Sequence, residues 1–166
     1  KNEGAESLAG QLLRAIPSIV LMVALVVAFG VAVWSSRWMS DDGFINIRII
    51  HNLLDGYGPV FNAGERVEAY TSPAWLFLVA FLGGFGLKPS VAAVAAGLFF
   101  SVAGLVLAML GALRLQSERP LLEAAAESLP VPAGALVYAA VPVAWDYGTS
   151  GLENALSTSW LAGSFF

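Results

Sequence analysis

Two stretches without a single charged residue, 15–34 and 90–113, constrain this chain more than anything else in it. At 20 and 24 residues, both exceed the ~18 apolar residues that mark a membrane-spanning helix. Only 12% of the 166 residues are charged, against ~25% in soluble domains, so a water-soluble core is a poor solution for this composition. The first stretch is longer than the ~7 to 15 residues of a signal-peptide core and reads as a retained anchor. No internal repeat is visible. The expected fold is all-α: a polytopic transmembrane helical bundle with juxtamembrane external helices.

The remaining segments follow from where the charges lie. A polar tail, 1–14, ends on Arg14 and reads as cytoplasmic by the positive-inside rule. The first span, 15–34, then exits beside Trp34 and Trp38, residues suited to the membrane interface. A first external loop, 35–89, carries Arg37, Asp41, Asp42, Arg48, Asp55, Glu65, Arg66 and Glu68. Within it, Ser40 followed by two acids predicts a helix start, and Asp55-Gly56-Tyr57-Gly58-Pro59 predicts its end. The apolar run 73–87 spans only about 22 Å as a helix and is expected to dip into the membrane surface. A second span, 90–113, leads to a cytoplasmic loop, 114–128, with Arg114, Arg119 and an acidic patch. A short, proline-interrupted third span, 129–145, returns the chain to a second external loop, 146–153, and 154–166 begins a fourth. The competing arrangement makes 73–87 a full span and moves Asp146 and Glu153 to the cytoplasmic side. The absence of an initial Met and the apolar final residues suggest a piece of a longer polypeptide.

Composition also excludes some functions. With a net charge of −4 and no Lys/Arg cluster, nucleic acid is not an expected partner. Without cysteine there are no disulfides, thiolate zinc sites or cysteine nucleophiles, and the redox compartment stays undetermined.

The stretch Asp41-Asp42-Gly43-Phe44-Ile45-Asn46-Ile47-Arg48 is the most informative. A carboxylate can take the proton of a sugar hydroxyl and so raise its nucleophilicity toward an anomeric carbon. Helical spacing puts Asp41, Ile45, Arg48 and Asn52 on one face, with Arg48 about two turns from Asp41. A guanidinium there suits a lipid phosphate, because its planar donor fork matches the oxygens. Spacing alone favours a plainer reading, in which the aspartates serve the start of a helix and Arg48 is solvated. His51, the sole histidine, is a ligand, a proton carrier or a surface residue. Asp146 and Glu153 flank a flexible polar loop that either returns to the external pocket or is an ordinary connection. Adjacent and facing carboxylates could hold a divalent cation with water, but the spacing identifies neither a metal nor any other cofactor.

Residues 41–48 and 52–72 together resemble the first external loop of the C superfamily of polytopic membrane glycosyltransferases, and Thr149-Ser150-Gly151-Leu152-Glu153 resembles that group's second external motif. Within it, the chain is most similar to the arabinofuranosyltransferases of mycobacterial cell-wall arabinan. The resemblance implies a polyprenyl-phosphate-linked donor, decaprenyl-phosphoryl-arabinofuranose, and an arabinan acceptor outside the cytoplasmic (inner) membrane. It further implies a multi-pass enzyme whose site faces the periplasm or exterior and is completed by a C-terminal part absent from this chain. On this basis Asp41 or Asp42 is the catalytic base, and Arg48, His51, Glu68, Tyr70, Asp146 and Glu153 are candidate substrate contacts. A polyprenyl-phosphate-sugar transferase of other specificity, a lipid transporter or flippase, and a structural membrane subunit are the alternative functions.

Overall fold

The computed structural model describes residues 8–116 and 131–165. The start of the tail (1–7), most of the polar loop with Arg119 and its acidic patch, and the first residues of the 129–145 segment lie outside the described residues.

Two 28-residue helices, α1 (Leu8–Ser35) and α4 (Pro89–Gln116), form around the uncharged stretches and extend beyond them. Each is about 42 Å long, enough to cross a ~30 Å hydrocarbon layer. Ile16, Val20, Val23, Val27 and Val31 project from α1 as an exposed apolar stripe. Phe29 and Val33 instead turn inward and join Leu105 and Met109 of α4 in a buried cluster. Such a split between an apolar outside and an apolar inside is what a lipid-facing helix requires.

Between the long helices the chain builds a second layer. Helix α2 (Asp41–Leu54) is capped by Ser40, whose hydroxyl accepts a hydrogen bond from Gly43 N at 3.0 Å. It ends at a turn in which Gly56 (φ +86°) and Gly58 (φ +88°) occupy the left-handed region that favours glycine. Helix α3 (Pro73–Gly84) starts on a proline, whose fixed φ suits a first helical turn. At 12 residues it is even shorter than the apolar run suggested, because Gly83, Gly84 and the left-handed Gly86 close it. Its inner face, Trp75, Leu76, Val79 and Ala80, is buried with Ile49 and Ile50 of α2 and Ala92, Ala93 and Ala96 of α4. The first turns of α4 therefore belong to this layer. Phe77, Phe81 and Phe85 form the outer face, one helical turn apart and 50–74% exposed.

Residues 131–165 return to both layers. Helix α5 (Ala133–Ala140) and helix α6 (Pro142–Asp146) are separated by Val141, which is extended at φ −80°, ψ 117°. Pro142 offers no N–H and disfavours helical geometry at the residue before it, which breaks the expected span. A 3-10 turn, Tyr147–Thr149, leads to helix α7 (Asn154–Ser164), which lies parallel against α4. Gly104 faces the Ser159 backbone, and Gly111 faces Phe165. Together with Gly97, Ser101 and Ala108, these glycines repeat at intervals of four and three, presenting small residues along one side of α4. Among the described residues there is no strand.

A Cβ on Gly97 would collide with the Gly148 carbonyl oxygen, whereas one on Gly30 would meet Val102 at an ordinary 3.5 Å. Gly97→Val should therefore lower the thermal unfolding midpoint of the purified protein, by the equivalent of ~1–3 kcal/mol for an overpacked contact. Gly30→Ala should be neutral or slightly stabilising, since alanine is the better helix former. Equal effects of the two changes would contradict this account of the seam.

Candidate active site

Sequence-distant residues meet where 146–153 crosses the start of α2. The Ser150 carbonyl oxygen accepts two hydrogen bonds from Ser40, one from its N–H at 2.9 Å and one from its hydroxyl at 3.0 Å. Trp75 Nε1 donates to the Gly151 carbonyl at 2.8 Å, and Trp38 Nε1 donates to the Asp146 carbonyl at 2.9 Å. Trp38 also meets Tyr147 edge to face, with ring centroids 5.4 Å apart. Backbone approach is equally close. A side chain on Gly43 would strike the Ser150 carbonyl and Met39 Sδ, and Gly151, at φ +85°, lies against Gly43 and Met39. Both polar segments thus lie at one end of the two long helices.

This crossing separates the adjacent aspartates. They are the first two residues of α2, so their side chains diverge by about 100° around the helix. Asp42 lines a pocket of about 270 Å³ with Asn46, Tyr70, Thr71, Glu153 and Asn154. Thr71 Oγ1 donates to Glu153 Oε1 across it at 3.5 Å. Asp41 lies on the other flank, in an open groove of about 640 Å³ with Arg48, His51 and Asn52. Ile45 belongs to both walls, so the groove and the pocket adjoin.

Arg48 is exposed, as the solvated reading expects, but its guanidinium is also tied to the loop that follows α2. Its Nε donates to the Phe61 carbonyl at 2.9 Å, its Nη2 to Asn62 Oδ1 at 3.3 Å, and its guanidinium lies 4.7 Å from the centroid of the Phe61 ring. Asn52 Nδ2 adds bonds to the carbonyls of Val60 and Phe61 at 2.8 and 2.9 Å. One face of α2 therefore clamps the loop 57–65, while Nη1 of Arg48 makes no hydrogen bond among the described residues.

Of the other candidates, Tyr70 lines the Asp42 pocket and also a second cavity of about 560 Å³, which it shares with Glu68, Tyr57 and Arg66. Asp146 lines neither the Asp42 pocket nor the Asp41 groove, and meets the site through its backbone carbonyl. Among the described residues, no group of three or more His, Asp or Glu side chains could hold a metal ion. Sequence reasoning did not single out Asn46, Thr71 and Asn154 as site residues. Asn46 carried a signal, one helical turn after Asp42, whereas Thr71 and Asn154 only had charged or aromatic neighbours to recommend them.

The chain is 46% identical over 143 residues to a protein of Mycobacterium tuberculosis named terminal beta-(1->2)-arabinofuranosyltransferase. It is 40% identical over 132 residues to a protein of the same name from Corynebacterium glutamicum. These matches take in 84% and 78% of the chain but only 22% and 18% of the relatives, so the chain spans about a fifth of their length. Identity of this extent marks them as homologues. No family model matches the chain, and no solved structure matches it.

If Arg48 clamps the loop, Arg48→Ala should release it. Amide hydrogen exchange at 59–62 should accelerate about tenfold, corresponding to ~1.4 kcal/mol of local stability. Arg48→Lys should not restore protection, because an ammonium lacks the planar fork. Unchanged exchange in the alanine variant would show that the loop is held by other means.

Proposed function

We propose that this chain is part of a membrane arabinofuranosyltransferase that moves arabinofuranose from a polyprenyl-phosphate donor to cell-wall arabinan. The observation that carries this reading is the convergence of Asp42 and Glu153, distant in sequence, on one pocket beside the Asp41 and Arg48 groove. The homologues' names support arabinofuranosyl transfer as the reaction. At about 270 Å³, the pocket lies just under the ~300–1,000 Å³ of small-molecule sites, a size that suits a single sugar ring.

In this mechanism the acceptor sugar occupies the pocket, and Asp42 takes the proton of its attacking hydroxyl. The hydroxyl oxygen forms a bond to the anomeric carbon of the donor. The bond from that carbon to the phosphate oxygen breaks, and polyprenyl phosphate leaves with the electron pair. Glu153, oriented by Thr71, accepts hydrogen bonds from the sugar. The donor phosphate lies toward Arg48 and His51 in the Asp41 groove, where Nη1 of Arg48 favours negative charge. Asp146 is a positioning residue that fixes the second polar segment through its carbonyl.

We place the site on the external face, where the resemblance puts both polar segments; the basic residues do not decide this, because Arg37, Arg48, Arg66 and Lys88 lie on the segments around the site while Arg14 and Arg114 lie toward the opposite ends of α1 and α4. The middle of each long helix carries no ionisable side chain, which disfavours an ion or lipid pathway along them.

Transfer by the purified full-length protein tests the proposal. Asp42→Asn should reduce kcat by ~10²–10⁴, the range of a lost general base. Asp41→Asn should act mainly on the KM of the lipid donor, and Glu153→Gln on that of the acceptor. Wild-type rates for both Asp41→Asn and Asp42→Asn would sink the mechanism.

A further inference from the structure

The cavity beyond Tyr70 has no part in the chemistry described above, yet it opens from the same place. Tyr70 and Thr71 line both it and the Asp42 pocket, and its volume, about 560 Å³, is roughly twice as large. One wall is Tyr57 to Val60, and the other carries Arg66, Glu68 and Tyr70. Resting on the transferase reading, we infer that this cavity is an extended acceptor subsite: it binds the sugar residues preceding the one that is modified.

Three observations identify a neutral glycan as the occupant. Tyr57 is 63% exposed, and Tyr70 supplies a second ring at the junction with the pocket. Aromatic rings offer broad apolar area at small conformational cost, which suits the C–H faces of a sugar. Arg66 and Glu68 bring a planar donor fork and a two-oxygen acceptor into the same cavity, and among the described residues neither forms an ion pair. Both side chains can bond hydroxyls, and the Glu68 carboxylate opposes an anionic ligand in the same cavity. Finally, the Tyr57 wall is built in advance. Tyr57 N donates to the Asn52 carbonyl at 2.9 Å, and Asn52 and Arg48 hold Val60 and Phe61 from the same helix that bears Asp42. Preorganisation of this kind avoids the ordering cost that a loose loop would impose on weak sugar contacts. The clamp thus links the register of the acceptor chain to the position of the base.

The test is the dependence of kcat/KM on acceptor length, using the full-length protein with synthetic mono- and tetra-arabinofuranoside acceptors. The wild type should prefer the longer acceptor. Tyr57→Ala and Glu68→Gln should each reduce the ratio of the two kcat/KM values about tenfold, the scale of one lost stacking or hydrogen-bonding contact. Glu68 is exposed, so its variant preserves the test if Tyr57→Ala does not fold. A wild type indifferent to acceptor length, variants that keep the ratio, or a change confined to the KM of the lipid donor would each overturn the subsite. If the wild type transfers no sugar to either acceptor, the transferase reading fails by itself. The subsite is then decided by saturation-transfer NMR with the tetrasaccharide: a signal lost in Tyr57→Ala supports it, and no signal with the wild type refutes it.

Discussion

Close backbone contact at glycine is the constraint on which the rest of this structure depends. Within a bilayer, apolar burial does little to drive one helix against another, and association relies on small residues that let backbones approach. Gly97 and Gly148 meet in this way between α4 and the turn after α6, and Gly43 and Gly151 meet between α2 and the start of the α7 segment. Those two contacts place the Ser150 carbonyl where Ser40 can bond to it twice. Loss of either approach would separate Glu153 from Asp42 even with every helix intact.

The two long apolar helices were legible because the absence of charge over 20 or more residues has few physical explanations. The limits of α2 were legible too, since Ser40 is a cap and the Gly56 to Pro59 turn is a stop. Other features depended on partners that local pattern does not encode. Nothing around Arg48 announces Phe61 and Asn62 as its acceptors, so the loop clamp was not legible in the local pattern. The small-residue stripe of α4 was written plainly in the sequence, but its meaning lies in Gly148 and Ser159, which come from the other side of a polar loop.

The aspartates have two sequence readings, a helix start and a catalytic base; the fold shows the first and leaves both side chains available for the second. Ser40 satisfies the orphan N–H of Gly43, leaving the Asp41 and Asp42 side chains to gain from the helix N-terminus without being consumed as caps. Their divergence around α2 then makes neighbours in sequence into residents of different cavities. Adjacent acids at a helix start thus face two different cavities from one rigid element.

The phenylalanines on the outer face of α3 bear on how high this machinery rides. Trp75, Leu76 and Val79 fasten α3 to α2 through a buried core, with no hinge between the aromatic rings outside and the aspartates within. In a bilayer, the level at which Phe77, Phe81 and Phe85 settle therefore fixes the altitude of Asp42 above the hydrocarbon. On the proposed reading the donor phosphate has its own altitude, imposed by its lipid anchor, and helix α3 would be the draught mark that matches the waterline of the protein to that of the lipid.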